Sequence, residues 1–402
     1  MTISRRELLA EAALAVAGTG LAARPAEPDR SAVPGGSEPW LEVDRGALDH
    51  NTRVLSARAG GRPLLAVVKN NAYGLGLSTA GPVLDALGGV WGLAVVRPGE
   101  ALELRRAGVR KPVLLMGPSS DEEMLELARG GVRLAPGAPA DAGRMVGLAR
   151  RLGRPVPVHL YIDTGMHRMG MPYDQVLSWL EPAGLRRALA IEGAFTELTE
   201  DQEFDREQVA RLRSTADRAR RAGVPLGRLH AASSDAVMRP TEETFLDLIR
   251  PGLTVYGGYP TAESMARGEL QPAYRLKTRV IRLDRLAPGE GVSYHRRYRA
   301  EAPTWTATLA VGHVDGYPAG AVKGCEALIR GRLYAVIGTV SASHTVVALG
   351  DGAESPVQAG DEATLVGPDH PALHPNTVAE RSGWSEYNMF MHLNPALARR
   401  VV

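Results

Sequence analysis

Along the chain the apolar positions fall into two regimes. From Trp40 to about Pro260, short apolar runs alternate with stretches of helical spacing. "LLAVV" (64–68), "VWGLAVV" (90–96), "PVLLMG" (112–117), "VPVHLYID" (156–163) and "IEGAFT" (191–196) read as strands, because aliphatic residues run together between turn residues. "DEEMLELARGG" (121–131), "PYDQVLSWLEP" (172–182) and "DREQVARLRSTADRARRAG" (205–223) repeat apolar residues at helical spacing and end on Gly or Pro. This alternation calls for a parallel sheet, and so many units over this length predict an α/β fold, the (β/α)8 TIM barrel. After about Gln271 the period shortens to two. "LKTRVIRLDRLAPGEGVSY", "TWTATLAVGHVDGYP", "LYAVIGTVSASHTVVALG" and "DEATLVG" predict a C-terminal antiparallel β domain. The expected division is a leader and linker over 1–36, the barrel over 37–270 and the β domain over 271–402.

In such a barrel, chemistry belongs to the loops at the carboxyl ends of the strands. "LLAVVKNNAYGLG" (64–76) ends its apolar run there on a lone lysine, Lys69. A lysine at such a boundary ordinarily snorkels to water. The chemical alternative is a Schiff-base lysine, buried so that its amine deprotonates easily. Arginine far outnumbers lysine in this chain, which gives each lysine more weight. The 402 residues are 44% hydrophobic with a net charge of +2. That length suits two or three domains, and the near-neutral balance gives no electrostatic reason to expect nucleic acid. Cys325 is the only cysteine, which excludes an intramolecular disulfide and a cysteine-rich metal site; no metal is expected. No apolar run reaches the length of a transmembrane helix, so no stable membrane insertion is expected.

The N-terminus carries Ser4, Arg5, Arg6, Leu8 and Leu9 ahead of an alanine-rich segment, Ala22 and Ala23, and a proline-rich linker. It resembles a twin-arginine export signal with small residues for cleavage near Ala23 or Ala26. Glu7 and Glu11 weaken its apolar core and favour the alternative, an amphipathic N-terminal helix on a cytoplasmic protein. Export to the periplasm or the exterior is the expectation.

Five segments stand in order along the chain: "AVVKNNAYGLG", "YIDTGMHRMG" (161–170), "HAASSDA" (230–236), "LIRPGLTVYG" (248–257) and "GVSY" (291–294). On these residues the chain resembles the alanine racemase family over essentially all of 38–402. The resemblance implies pyridoxal 5'-phosphate as cofactor, held covalently by Lys69. It implies that Tyr73 and Ser234 reach the phosphate and that Arg168 points at the phenolic oxygen and the substrate. It also implies that Arg250, partnered by His230, meets the ring nitrogen, with Gly252 and Leu253 in the same binding segment. Racemisation needs a base on each face of the substrate carbon, and the resemblance assigns these to Lys69 and Tyr294. Tyr294 lies in the β domain, so the resemblance further implies a head-to-tail homodimer in which each β domain completes its partner's site. By themselves, Arg250 would read as an ion-paired surface arginine and Tyr294 as a cross-strand packing aromatic.

Several family positions differ. Glu197 in "TELT" stands where the family has the histidine of "THFA", and Tyr161 stands at the barrel lysine that is often carbamylated. His313 in "GHVDG" replaces a tyrosine, Ser341, Ala342 and Ser343 replace "CMD", and the C-terminal phosphate tyrosine aligns around Val401. The cofactor-anchoring positions are kept, whereas the substrate-gripping ones (His313, Ala342, Ser343) are changed. The expected activity is therefore racemisation of alanine or a larger amino acid. The alternatives are decarboxylation or aldol cleavage, favoured by loss of the histidine, and a cofactor-holding relative without turnover. Retention of Tyr294 favours the two-base reaction. If Glu197 faces Tyr294, it disfavours the tyrosinate and moves the activity optimum to higher pH.

Overall fold

The structure, a computed structural model, describes residues 36, 38–239 and 243–402. Apart from Gly36, the expected leader lies outside the described residues. Parallel strands Leu64–Val67, Val90–Val95, Val113–Leu115, Val132–Leu134, Val156–Asp163, Leu189–Phe195 and Arg228–His230 pair in chain order. Residues 247–251 close the ring. Leu65 N donates to Ile249 O at 2.8 Å and Val67 N to Pro251 O at 2.9 Å on one side, and Leu248 N donates to Leu229 O at 3.3 Å on the other. The strand residues are almost wholly buried, which is why the runs show little polar alternation: one face fills the barrel and the other meets the helices. The result is a (β/α)8 barrel.

The helices begin where their caps dictate. Ser120 and Glu123 form a reciprocal capping box for Asp121–Arg129. Asp201 accepts from Glu203 N and Phe204 N, so Gln202–Arg221 starts ahead of the apolar period read from the sequence. The helix expected over 172–182 shrinks to Val176–Leu180, because Met171–Pro172 pairs with the end of Val156–Asp163.

In the β domain the long strand Tyr274–Leu286 is the hub. It pairs with Thr304–Leu309, Glu362–Val366 and Trp40–Val43, and Thr345–Gly350, Arg332–Ile337 and Glu326–Ile329 complete a closed antiparallel sheet. Trp40–Val43 lies within the stretch expected to be barrel, yet it pairs with Tyr274–Lys277 on one side and with Ala398–Val401 on the other. Trp40 is buried there beneath Lys277 and Arg279, whose charged groups lie 5.9 and 5.3 Å from its ring. From this β-domain strand the chain crosses into the barrel through helix Arg45–Arg58. Among the described residues no helix is long and apolar enough to cross a membrane.

Candidate active site

Lys69 leaves the barrel at the carboxyl end of Leu64–Val67, and the backbone turns left-handed behind it. Asn70, Asn71, Ala72 and Tyr73 have φ of 53°, 58°, 52° and 52°, and Gly74 follows at 84°. That conformation costs roughly 1–2 kcal/mol per L-residue, least for asparagine. Two consecutive asparagines and a closing glycine suit it, and buried Glu100 holds it. The Glu100 carboxylate accepts from Asn70 N at 2.6 Å, Val96 N at 3.2 Å and Arg97 N at 3.1 Å, tying two strand ends together. The turn swings Tyr73 under the barrel mouth, stacked on Tyr256 at 4.9 Å, and the Tyr256 hydroxyl donates to Val67 O at 3.0 Å.

Lys69, Tyr73, Arg168, Ser234, Arg250 and Gly252 line one cavity of about 360 Å³. At one end Ser234 Oγ accepts from Gly252 N at 3.0 Å and from Thr254 N at 3.3 Å. A Cβ on Gly252 would fall 2.2 Å from the Tyr73 hydroxyl, so only glycine lets the two meet. Ser233 Oγ is buried beside them with no hydrogen-bond partner among the described residues. Such an orphaned hydroxyl is costly unless something accepts from it. A phosphate does so, and this end of the cavity fits the phosphate of pyridoxal phosphate.

The other end is cationic. Arg250 is buried. Its Nη1 donates to His230 Nδ1 at 3.0 Å, and its Nη2 donates to Thr196 O and to Glu197 Oε2, both at 2.9 Å. A guanidinium only donates, so His230 Nδ1 accepts and His230 carries its proton on Nε2. That proton goes to His159 Nδ1, 2.9 Å away. Burial first, and neighbouring arginines next, hold both rings neutral: His159 is pushed down to about 4 and His230 well below its ordinary value. Arg168 is more exposed. Its Nη2 stands 3.9 Å from Glu197 Oε1, and it shares the cavity wall with Tyr161. Burial lowers the Lys69 amine; Glu197 opposes this, Arg168 and Arg250 reinforce it, and Glu100 opposes it more weakly.

His230 stands behind the cavity as the partner of Arg250, and buried Leu253 opens the turn Leu253–Tyr256. Tyr294, His313, Ala342 and Ser343 do not line the cavity; all four are exposed at one end of the β domain. Tyr294 sits in a strained tip, with φ of 61° at Ser293, 62° at His295 and 46° at Arg296. Thr339 Oγ1 donates to Tyr294 O at 3.3 Å, and His313 N and Val314 N donate to Ser341 O and Ala342 O at 3.0 and 3.1 Å. The structure therefore groups these four residues with one another rather than with Lys69. Within its own chain Glu197 faces Arg250 and Arg168. One expectation is corrected. Val401 pairs with Val43 in the terminal strand, and it is Tyr387 that lines the cavity, 6.5 Å from Tyr73 between ring centres. Sequence reading also missed Ser233, whose only signal was the doubled serine of "HAASSDA".

Residues 43–260 match the family model described as alanine racemase, N-terminal domain, and residues 273–401 match that for the C-terminal domain. The alanine racemase of Geobacter sp. (strain M21) is 33% identical over 376 residues, 90% of this chain and 97% of that protein. The alanine racemase of Deinococcus radiodurans is 34% identical over 368 residues, 89% and 97% of the two chains. Among solved structures, the alanine racemase of D-cycloserine-producing Streptomyces lavendulae superposes with a TM-score of 0.83 at 27% identity, covering 91% of this chain and 97% of that one. The enzyme of Streptomyces coelicolor A3(2) gives 0.81 at 28%, covering 91% and 98%.

Proposed function

This chain belongs to the alanine racemase family of pyridoxal-phosphate-dependent amino-acid racemases, and we propose that it interconverts L- and D-amino acids with Lys69 and the Tyr294 of a second copy as its bases. The observation that carries the assignment of residues is the convergence of Lys69, Arg168, Arg250, Tyr73 and Ser234 on one cavity that also holds the orphaned Ser233 hydroxyl. Lys69 would hold the cofactor through its amine. Tyr73, Ser233 and Ser234 would hold its phosphate, Arg250 its ring nitrogen and Arg168 its phenolic oxygen. When bound, the cofactor supplies the electron withdrawal that acidifies the α-hydrogen of an amino acid.

The protein's part is to move the proton. Burial favours the neutral Lys69 amine, the form that accepts a proton at Nζ. Arg250 cannot give up its own proton, so it polarises without acting as an acid. A second base must approach from the opposite side. The exposure of Tyr294 in the β domain, away from its own chain's cavity, supports its serving a neighbouring chain's cavity. A head-to-tail dimer gives Tyr294 a role that one-base chemistry would leave it without.

The exposed Ser341–Ser343 turn and His313 offer smaller side chains than the family pattern. Each substrate methylene buried in the room this leaves contributes about 0.8 kcal/mol. Amino acids longer or more polar than alanine are therefore expected to turn over at least as well as alanine. Deuterium exchange and chirality measured on alanine, serine, methionine, lysine and arginine test both points. Absence of exchange on every substrate would contradict racemisation, and a strong preference for alanine would contradict the wider range. The twin-arginine-like leader supports export as part of the same proposal, and a pool confined to the cytoplasm on cell fractionation would contradict it.

A further inference from the structure

We propose that Glu197 is a positioning residue that ties the two guanidiniums of the cavity together and balances their charge around Lys69. The inference rests on the reading above, in which Lys69, Arg168 and Arg250 meet the cofactor. Glu197 follows strand Leu189–Phe195, and its backbone is fixed from below: fully buried Gln208 donates from Nε2 to Glu197 O at 2.9 Å. Its carboxylate is free to span. Oε2 lies 2.9 Å from Arg250 Nη2 and Oε1 lies 3.9 Å from Arg168 Nη2.

The two arginines depend on it unequally. Arg250 keeps His230 Nδ1 at 3.0 Å, Thr196 O at 2.9 Å and Ala231 O at 3.4 Å without it. The Arg168 side chain is 61% exposed, and Tyr161, the phenol that shares its side of the cavity, is neutral. Glu197 thus links the buried Arg250 to the exposed Arg168 across the cavity. A neutral imidazole at this position could accept from one guanidinium and would add no charge. Tyr161 adds none either, so the anion facing both arginines is the Glu197 carboxylate.

The same carboxylate acts on Lys69. Arg168 and Arg250 both disfavour its ammonium, as does burial, while Glu197 and Glu100 favour it. Removing the Glu197 charge should therefore free the Lys69 amine at lower pH. The test uses cofactor-free protein, pulse-labelled with 1-fluoro-2,4-dinitrobenzene across a pH series. Lys69, Lys111, Lys277 and Lys323 are the chain's four lysines, so each labelled peptide is assignable by mass.

In Glu197→Gln the Lys69 titration should move to lower pH, with severalfold faster labelling below the wild-type midpoint, while the other three lysines are unchanged. Glu197→Asp should stay close to wild type. Arg168 should also react faster with phenylglyoxal in Glu197→Gln while Arg250 stays protected. A Lys69 midpoint that is unchanged or higher in Glu197→Gln, or all four lysines shifting together, would overturn the proposal, as would equal Arg168 reactivity. None of these readouts uses turnover, so their failure leaves the racemase assignment to its own assay.

Discussion

His230 shows how far one side chain's protonation state reaches. Its neutral Nδ1 is what Arg250 donates to, and its Nε2 proton satisfies His159, so a proton added to either ring breaks the chain behind the cavity. His374 is in a similar position: its Nδ1 accepts from Asn376 N at 3.2 Å and caps helix Pro375–Ser382. Burial pushes His159 and His374 each down to about 4 in the folded chain, against about 6.5 when unfolded. Between those values the unfolded chain binds protons that the folded one refuses. The stability contributed is thus complete above the unfolded value and lost as pH falls toward the folded one. The urea midpoint should drop between pH of about 7.5 and about 5, and His374→Gln should flatten part of that drop. A midpoint independent of pH across this window would contradict the neutral-histidine assignment. At this scale Lys69, Arg168 and Arg250 were legible because each sits in a run of distinctive neighbours. Glu197 was legible only as a departure, since its partners come from loops distant in sequence.

The left-handed turn 70–73 is the element on which the site hangs. Its asparagines and glycine were visible in the sequence, but the glutamate that pins it was not, because Glu100 belongs to the next strand–helix unit and reads there as an ordinary first-turn acid. Glu100→Ala would leave three backbone N–H groups without their acceptor and release a strained turn. Such a loss is worth about 2–4 kcal/mol. Chemical denaturation should show it, together with weakened retention of pyridoxal phosphate. Unchanged stability would mean that the turn is held by packing against Tyr256 instead. The barrel strands themselves were legible where the apolar run was long. Val132–Leu134 escaped, being three residues with an arginine between them, and the closing segment 247–251 makes only isolated bridges.

Two features belong to the whole molecule. The first strand, Trp40–Val43, looks like any other apolar run, yet its partners are residues 274–277 and 398–401, so only the folded chain assigns it to the β domain. The separation of Lys69 from Tyr294 is the second. One sits at the barrel mouth, while the other is 67% exposed at the end of the β domain with His313 and Ala342 beside it. In the proposed head-to-tail dimer a single chain would hold half of each of two sites, and a second chain would complete them. The direct measurement is racemase activity after mixing Lys69→Ala with Tyr294→Phe under conditions of proven subunit exchange. Each is expected to be inactive alone. In an equal mixture half the dimers are mixed and each of these holds one intact site of two, so about a quarter of wild-type activity should return. No recovery despite exchange would contradict a site shared between chains.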